Sequence, residues 1–508
     1  MSSPIEIIVD TIGSPSPVSA GLGLLGVFVV WYIVSAFSAW YRLRHIPGPF
    51  LASFSYLWMV KSILLGTLEK DFSELRKYGP LVRTGPNSIV TNDPMILRKI
   101  ASARTKYTKH EWFAAATFAP GHRTMITILD NFSHDKLKAR TAQGYNGKEN
   151  PDLEVAIDSV ITHFIDVIRA KHLTTKDRIR TIDFARMSRY FTLDIITRLA
   201  YGKAFGFLDS DEDLFGYTGQ IDQLLKAQNL SQEIPIFRYI VFSRLFFGLF
   251  GPKPSDEKGV GKIMGYTQQI IDEKFQEKKP TKDMMGSFIR HGMTKKECAE
   301  EALLQIQAGS DTTAVAIRTT LMYIMTTPRV YIRMKAMIKQ CVDRNEVSFP
   351  ITFEEAQKLP YLQAVILEGL RMRIPVTYGH YKQTPPEGDT INGVFIPGNT
   401  ALGHNSLALT RTESIFGEDV DTFRPERFLD CDEDEKAERE HAIDMVFGGG
   451  RWMCAGKPIA FMELNKIFFE LLRVFDFQLI YPVKGWTETF YFIPFHKDMW
   501  VRITEAET

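Results

Sequence analysis

Cysteine is scarce in this chain, and its scarcity is informative. Four occur in 508 residues (Cys298, Cys341, Cys431 and Cys454), none as a Cys-x-x-Cys pair, which is not the count of a disulfide scaffold. The main body therefore reads as a protein of a reducing compartment. An excess of one charge is lacking too. The chain carries 61 basic and 60 acidic residues, so no global field implies nucleic acid, and any basic patch is local. No Gly/Ser-rich linker, low-complexity stretch or internal repeat divides the chain after its first fifty residues, which argues for one large domain. The acid-rich run at 430–440 is expected to be a solvated surface loop. What the chain does hold is apolar material: 45 % hydrophobic residues with 36 Phe, 18 Met and 18 Tyr. That is enough for a large core, and plastic enough to line a pocket for apolar ligands.

Charge is also missing between Asp10 and Arg42. The stretch 18–41 is almost wholly apolar or small, about 36 Å of helix at ~1.5 Å per residue, which spans a bilayer. The competing reading is a cleaved signal peptide, with Ala36-Phe37-Ser38 as a small-residue cleavage site. Against it, the run exceeds a usual signal core of ~7 to 15 residues, Glu6 and Asp10 precede it instead of Lys or Arg, and Arg42 and Arg44 follow it. Those arginines place the following domain in the cytosol, so the sequons at Asn131 and Asn229 are expected to stay unmodified. His45-Ile46-Pro47-Gly48-Pro49 then forms a stiff, non-helical hinge.

Cys454 lies in Phe447-Gly448-Gly449-Gly450-Arg451-Trp452-Met453-Cys454-Ala455-Gly456, a glycine-rich turn that delivers one thiol to the start of a predicted helix. A phosphate-binding loop fails here, because Gly450 is one residue too far from Gly456-Lys457 and Pro458 replaces the hydroxyl residue. A dinucleotide fingerprint fails as well, because Met453 stands where its third glycine belongs. A single soft thiolate suits axial ligation of haem iron, where it favours O–O cleavage. The helix dipole is expected to lower the thiol pKa, and the glycines to let backbone approach a flat cofactor. A structural buried cysteine is the remaining alternative.

Thr294-Lys295-Lys296-Glu297 is a capping box opening a helix of about thirty residues that stops near Pro328. In its middle, Ala308-Gly309-Ser310-Asp311-Thr312-Thr313 places a glycine costing ~1 kcal/mol against alanine beside clustered hydroxyls. Clearance for a bound diatomic at Gly309, with Thr312 opening a groove and Asp311 feeding protons, fits this pattern. Serine and threonine back-bonding inside a core helix fits it too. Another predicted helix begins at Pro360 and sets Glu368 and Arg371 three apart on one face, and Phe423-Arg424-Pro425-Glu426-Arg427-Phe428 supplies a further guanidinium that can reach Glu368. After Cys454, Pro458 starts a final helix with Ile459, Met462, Ile467, Phe468, Leu471, Leu472 and Phe475 on its apolar face.

In order and spacing, these segments resemble the cytochrome P450 family of haem-thiolate monooxygenases across nearly everything after residue 45. The resemblance implies a mainly α fold, a helical triangular prism with a small β-rich lobe, preceded here by one transmembrane helix. It divides the chain into a short lumenal N-terminus (1–17), a signal-anchor helix (18–41), a Pro/Gly hinge (42–50) and a haem-thiolate catalytic domain (51–508). It implies haem b ligated by Cys454 and cradled by Phe447, Gly450, Trp452, Gly456, Ala308 and Gly309. Asp311 and Thr312 would manage protons, and Glu368, Arg371 and Arg427 would hold the core around the cysteine loop. Trp452 stands where the family usually has an Arg or His on a haem propionate, so Trp452, Lys138 and Lys382 are the expected propionate partners. Substrate contacts are expected from 112–118, Leu304, Gln307, 376–379 and 492–494.

The implied partners are O2, an apolar small molecule and NADPH-cytochrome P450 reductase, which would dock on a basic face of Lys136, Lys138, Arg140, Arg451, Lys457 and Lys466. The implied setting is the endoplasmic reticulum membrane, single-pass, with the catalytic domain cytosolic. The cysteine-loop segment is similar to fungal microsomal members related to pisatin demethylase, many of which tailor secondary metabolites. A hydroperoxide-rearranging enzyme of the same fold, or a haem or lipid carrier without turnover, are the alternatives. Asp311 and Thr312 argue against the first.

Overall fold

In the computed structural model, which describes residues 17–117, 120–277 and 281–506, the apolar amino-terminal run is one continuous helix, Pro17–Leu43. An 18-residue window of its segment Gly21–Leu43 has mean hydropathy 2.1 and is not buried by the rest of the chain, whereas Leu43 at its end is fully buried. The expected lumenal stretch lies outside the described residues except for Pro17. The end of this anchor is bonded to the domain behind it. Arg83 is fully buried and donates to the carbonyls of Ala39 (2.9 Å) and Trp40 (3.3 Å) near the helix C-terminus. Its amide donates to Pro47 O at 2.8 Å, and a Cβ on Gly48 would strike the Arg83 carbonyl. Arg42 reaches Asn87 (3.0 Å) and Thr400 (3.2 Å). The Pro-Gly-Pro segment is thus a docked joint as well as a stiff one.

The domain is mostly helical, with small sheets at its margins. Its largest sheet has five strands in the order Leu81–Gly85, Ser88–Thr91, Ala401–Asn405, Tyr378–Gln383, Thr108–Lys109. Ser88–Thr91 runs parallel to Ala401–Asn405 and the other pairs are antiparallel. The last pairing matters most for function, because it sets Lys109 directly across from Lys382.

The long helix, Lys295–Thr326, opens with the expected capping box: the Thr294 side chain accepts from the Glu297 amide, and Glu297 accepts from the Thr294 amide at 2.8 Å. It packs along Phe184–Tyr201, where Gly309 faces Ile196, and it crosses Pro360–Met372, where Gly369 faces Thr320. That second helix buries Leu362, Val365, Ile366 and Leu370, each contributing ~1.5 to 3 kcal/mol. The final helix, Lys457–Val474, has Pro458 in its first turn.

Three expectations change at this level. The acid-rich run is not a loop but mostly helix, Glu433–Asp444, because Asp432 caps it through the Glu435 amide (2.8 Å) and Glu433, Asp434 and Glu435 complement the positive end of its dipole. Phe475 leaves the final helix to begin the strand Phe475–Leu479. Asn229 is a helical, fully buried residue whose amide donates to the Tyr378 hydroxyl at 2.7 Å, so it cannot accept glycan on either side of a membrane. Glycosylation at that sequon therefore reports nothing about topology.

Candidate active site

Cys454 is placed by its own backbone. Its amide donates to Phe447 O at 2.7 Å, closing a loop that turns through Gly448 (φ +78) and Gly450 (φ +52). Both glycines occupy the left-handed region that side chains disfavour. A Cβ on Gly450 would also strike the Ala101 carbonyl, and Gly450 does not line the cavity. Its expected approach to a cofactor is therefore replaced by close packing against the chain at Ala101, whereas Phe447, Gly448, Gly449, Trp452 and Gly456 do line the cavity. Cys454 is surface-accessible, but the surface it meets is the wall of this internal cavity. Burial pushes its thiol pKa up, against hydrogen bonds from the Gly456 and Lys457 amides and the charges of Lys138 and Lys457. The expected lowering is reversed because desolvation outweighs the helix terminus. A bound metal would remove this proton outright.

Facing the cavity from the long helix are Ala308, Gly309, Thr312 and Thr313. The Thr312 hydroxyl donates to Ala308 O at 2.8 Å, which leaves its lone pairs free to accept. Ser310 back-bonds to Ile306 O at 2.6 Å in the buried interior. Gly309 lines the cavity, yet a Cβ there would lie 2.8 Å from the Ile196 side chain, so helix packing already accounts for this glycine. Asp311 does not line the cavity. Its Oδ1 accepts from Arg189 Nε at 2.9 Å, and Arg189 also bonds Asp222 (2.8 Å), which meets the exposed Lys497 at 2.9 Å. A guanidinium does not give up a proton, so this chain of charges is no proton wire while Asp311 stays bound to Arg189.

One end of the cavity is cationic. Lys109 and Lys382, opposite each other on adjacent strands, are both buried and both line it. Like charges in that relation are destabilising. Lys109 donates to the carbonyls of Met125 (2.5 Å) and Ile126 (3.1 Å), while the Lys382 ammonium lies over the rings of Trp452 (4.3 Å) and Phe113 (4.9 Å). Trp452 Nε1 and His404 Nδ1 are buried without a hydrogen-bond partner. Two lysines, an indole N–H and an imidazole line this cavity, a donor set that fits a ligand bearing acid groups, while Glu301, whose charge acts on Lys109, stays off the wall. Lys138 is not among them: its Nζ donates to Arg451 O (2.7 Å) and Met453 O (3.2 Å), bracing the cysteine loop from outside the cavity.

The remaining walls are mainly apolar and enclose about 330 Å³. From the expected segments come Trp112, Phe113, Ala116, Leu304, Gln307, Val376, Phe492 and Ile493; Thr377, Tyr378, Gly379 and Pro494 stay outside the cavity, and Phe118 lies outside the described residues. Off the cavity wall, Glu368, Arg371 and Arg427 are fully buried. Arg371 Nε and Nη2 donate to the two Glu368 oxygens (2.7 and 2.8 Å), and Arg427 Nε lies 3.0 Å from both. The spare donors of the two guanidinium groups end on the carbonyls of Thr410, Val420, Thr422, Phe416 and Asp419, and Arg427 also meets the Asp419 carboxylate at 3.0 Å, so the segment 410–422 is tied to the helix Pro360–Met372.

The family model described as cytochrome P450 matches residues 47–489. The chain belongs to the cytochrome P450 family. It is 43 % identical over 472 residues to the cytochrome P450 monooxygenase aba1 of Botryotinia fuckeliana, covering 92 % of each chain. It is 41 % identical over 493 residues to the cytochrome P450 monooxygenase ABA1 of Pyricularia oryzae, covering 95 % of this chain and 96 % of that one. A third relative, the cytochrome P450 monooxygenase abl1 of Leptosphaeria maculans, is 40 % identical over 468 residues, with 90 % and 82 % covered.

A cytochrome P450 is an oxidoreductase that holds a haem with thiolate-ligated iron and draws on O2 and a redox partner. The geometry accommodates that group, with a thiol on one wall and a cationic end for its propionates. Burial lowers the Lys109 ammonium from an ordinary 10.5 to about 7, opposed by Glu301 and aided by Lys138. In haem-free protein the unfolded chain then binds more protons than the folded one between those values. Stability from this lysine therefore rises as pH climbs from about 7 to 10.5 and is flat below that window. A propionate beside Lys109 restores its charge, so thermal unfolding of the haem-loaded P450 is expected to lose this rise. An equal slope with and without haem would separate Lys109 from the propionates.

The expected reductase face changes as well. Lys466 is fully buried, with its ammonium on Glu154 (2.6 Å) and Asp158 (2.9 Å), and cannot dock a partner. Arg140, Arg451 and Lys457 are half-buried and paired with Glu297, Asp135 and Asp444, whereas Lys136 is exposed. The sequence reading missed Lys109, Ile196, Gln228, Gln232, His380 and His404 as cavity residues. Of these, Lys109 had a usable signal, a lysine in a short β-prone stretch.

Proposed function

We propose that this P450 is a microsomal monooxygenase that inserts one oxygen atom of O2 into an apolar small molecule, as a tailoring step in secondary metabolism. The observation that carries the reading is that Cys454 and Thr312 share one mainly apolar cavity with a cationic end. Haem bound there supplies the reductive activation of O2 and the transfer of one oxygen atom. Cys454 would hold its iron, with the Gly456 and Lys457 amides favouring the sulfur anion. Lys109, Lys382, Trp452 and His404 would hold its propionates. Trp112, Phe113, Leu304, Val376 and Phe492 exclude water and orient the apolar body. Thr312 holds a proton-accepting and proton-donating hydroxyl at the cavity wall, and Asp311 serves it when its side chain leaves Arg189.

NADPH-cytochrome P450 reductase is the proposed electron donor, meeting the protein near Lys136 and Arg451. The proposed setting is the endoplasmic reticulum, with 18–41 as the span, 42–50 as the joint and 51–508 in the cytosol. Support comes from the arginines after the anchor and from two short helices, Pro235–Val241 and Arg244–Phe250, whose Ile236, Phe237, Ile240, Leu245, Leu249 and Phe250 are exposed. Such a face suits a bilayer surface.

Reconstitution of the purified, haem-loaded chain with reductase, NADPH and O2 tests the reaction class. Thr312→Ala is expected to keep haem and substrate binding. A positioned proton donor is worth ~10²- to 10⁴-fold, so product formed per NADPH should fall about tenfold or more, with hydrogen peroxide taking the difference. Unchanged coupling would remove Thr312 from proton handling.

A further inference from the structure

Two helices form a further part of the cavity wall, and they are selective about what they place there. Tyr217–Glu233 carries Asp222, Lys226 and Glu233, and Lys295–Thr326 carries Glu300, Glu301, Asp311 and Arg318. None of these charged residues lines the cavity, whereas Gln228, Gln232 and Gln307 all do. Their amides are underused. Gln232 is 2 % exposed, and neither its Nε2 nor its Oε1 has a hydrogen-bond partner. Gln307 Nε2 reaches Gln228 Oε1 only at 3.4 Å, and Gln228 Nε2 reaches Ala115 O at 3.3 Å, both at the long limit for such bonds. Around them stand Trp112, Ala116, Ile196 and Leu304, which offer no acceptor.

A buried primary amide left without partners costs about 1 to 3 kcal/mol, so the unpartnered Gln232 amide, beside the weakly bonded Gln228 and Gln307, calls for a group that completes it. An amide offers both a donor and an acceptor, so its complement is a neutral oxygen group. A carboxylate would find no cation that either helix places on the cavity wall. The lysines that line the cavity sit on the sheet, at Lys109 and Lys382.

We infer that Gln228, Gln232 and Gln307 form a neutral polar cap, and that the substrate is an uncharged, mostly apolar molecule already carrying a hydroxyl or carbonyl oxygen that docks on it. The inference rests on the monooxygenase reading and sharpens its substrate class. It also places this enzyme after a reaction that has installed an oxygen on the hydrocarbon. The cap fixes one end of the molecule and so selects which carbon the reaction reaches.

The test uses the purified, haem-loaded full chain and a matched set of probes: cyclododecane, cyclododecanol, cyclododecanone and cyclododecanecarboxylate, titrated by calorimetry and by the spin-state change of the haem. One good neutral hydrogen bond corresponds to roughly tenfold in affinity, so the alcohol and ketone are expected to bind about tenfold more tightly than the hydrocarbon, with the carboxylate weakest. Gln232→Leu is expected to bring alcohol and hydrocarbon to within about twofold while leaving haem content unchanged. Should that variant lose haem, Gln307→Leu carries the same comparison. No preference for the alcohol in the unmodified protein, or a preference that survives both substitutions, overturns the cap. A preference that holds while the bound alcohol fails to stimulate NADPH consumption with reductase leaves the cap standing and removes the monooxygenase reading instead.

Discussion

Cys454→Ser is expected to abolish oxygen insertion while leaving the fold in place. The loop around this residue is held by groups other than its sulfur: the Cys454 amide on Phe447 O, Gly448 and Gly450 in left-handed turns, and the Lys138 ammonium on two loop carbonyls. Serine matches cysteine closely in shape and preserves all of these. What it cannot supply is a soft anion. An alcohol ionises far less readily than a thiol, and two amide hydrogen bonds already fail to bring the cavity-facing thiol below its ordinary range. Turnover in the reconstituted system should fall to the limit of detection, with the far-ultraviolet circular dichroism of the parent retained. Substantial turnover by the serine variant would mean that Cys454 is not the iron ligand.

The second large effect concerns stability. Glu368→Ala removes the one carboxylate shared by Arg371 and Arg427, both fully buried. Breaking one side of a buried ionic network costs about 3 to 5 kcal/mol, because the partners keep their charge and lose its compensation. Here Arg371 loses its carboxylate, while Arg427 keeps Asp419 Oδ1 at 3.0 Å and both keep their carbonyl partners, so the lower part of that range is expected. At the low end of a typical net stability of ~5 to 15 kcal/mol this removes most of the margin, so the unfolding midpoint falls and haem retention falls with it. Haem content per chain and the midpoint of thermal unfolding measure it. Glu368→Gln, which keeps the shape and one acceptor oxygen, should fall between the two. A Glu368→Ala protein with normal haem content and unfolding midpoint would show that the network is dispensable.

The site divides into what local sequence can specify and what only the fold can. Cys454, Thr312 and the Glu368 to Arg371 spacing were legible because each is a short pattern whose residue types make sense for one chemistry. Lys109 and Lys382 lie far apart in the chain, and strand pairing alone brings them together across the cationic end. Gln228 and Gln232 read as ordinary polar positions on a helix until that helix is laid against Gln307. Lys466 shows the opposite error. Its charge suggested a surface, but Glu154 and Asp158, some three hundred residues earlier, allow it to be buried completely. Gly309 was given one reason for lacking a side chain and has a second, the Ile196 side chain on a neighbouring helix. The acidic helix was missed for a local reason, because high charge was weighed above the Asp432 cap and the acids in its first turn.

Asp311 has the least settled geometry for its proposed work. It is adjacent in sequence to Thr312 yet tied to Arg189 and off the cavity wall. A proton reaches Thr312 through Asp311 only if that bond opens, so motion of one side chain separates the resting arrangement from the working one. The exposed Lys497 marks where this buried chain of charges meets solvent.

The central claim is that the Cys454 thiolate holds haem iron in this cavity. The absorption spectrum of the dithionite-reduced, carbon monoxide-bound full chain in membranes tests it most directly. A strongly red-shifted Soret band, reporting an anionic sulfur opposite the gas, is the expected result. A band at the position given by a histidine or neutral-thiol ligand, or no haem at all, would contradict it.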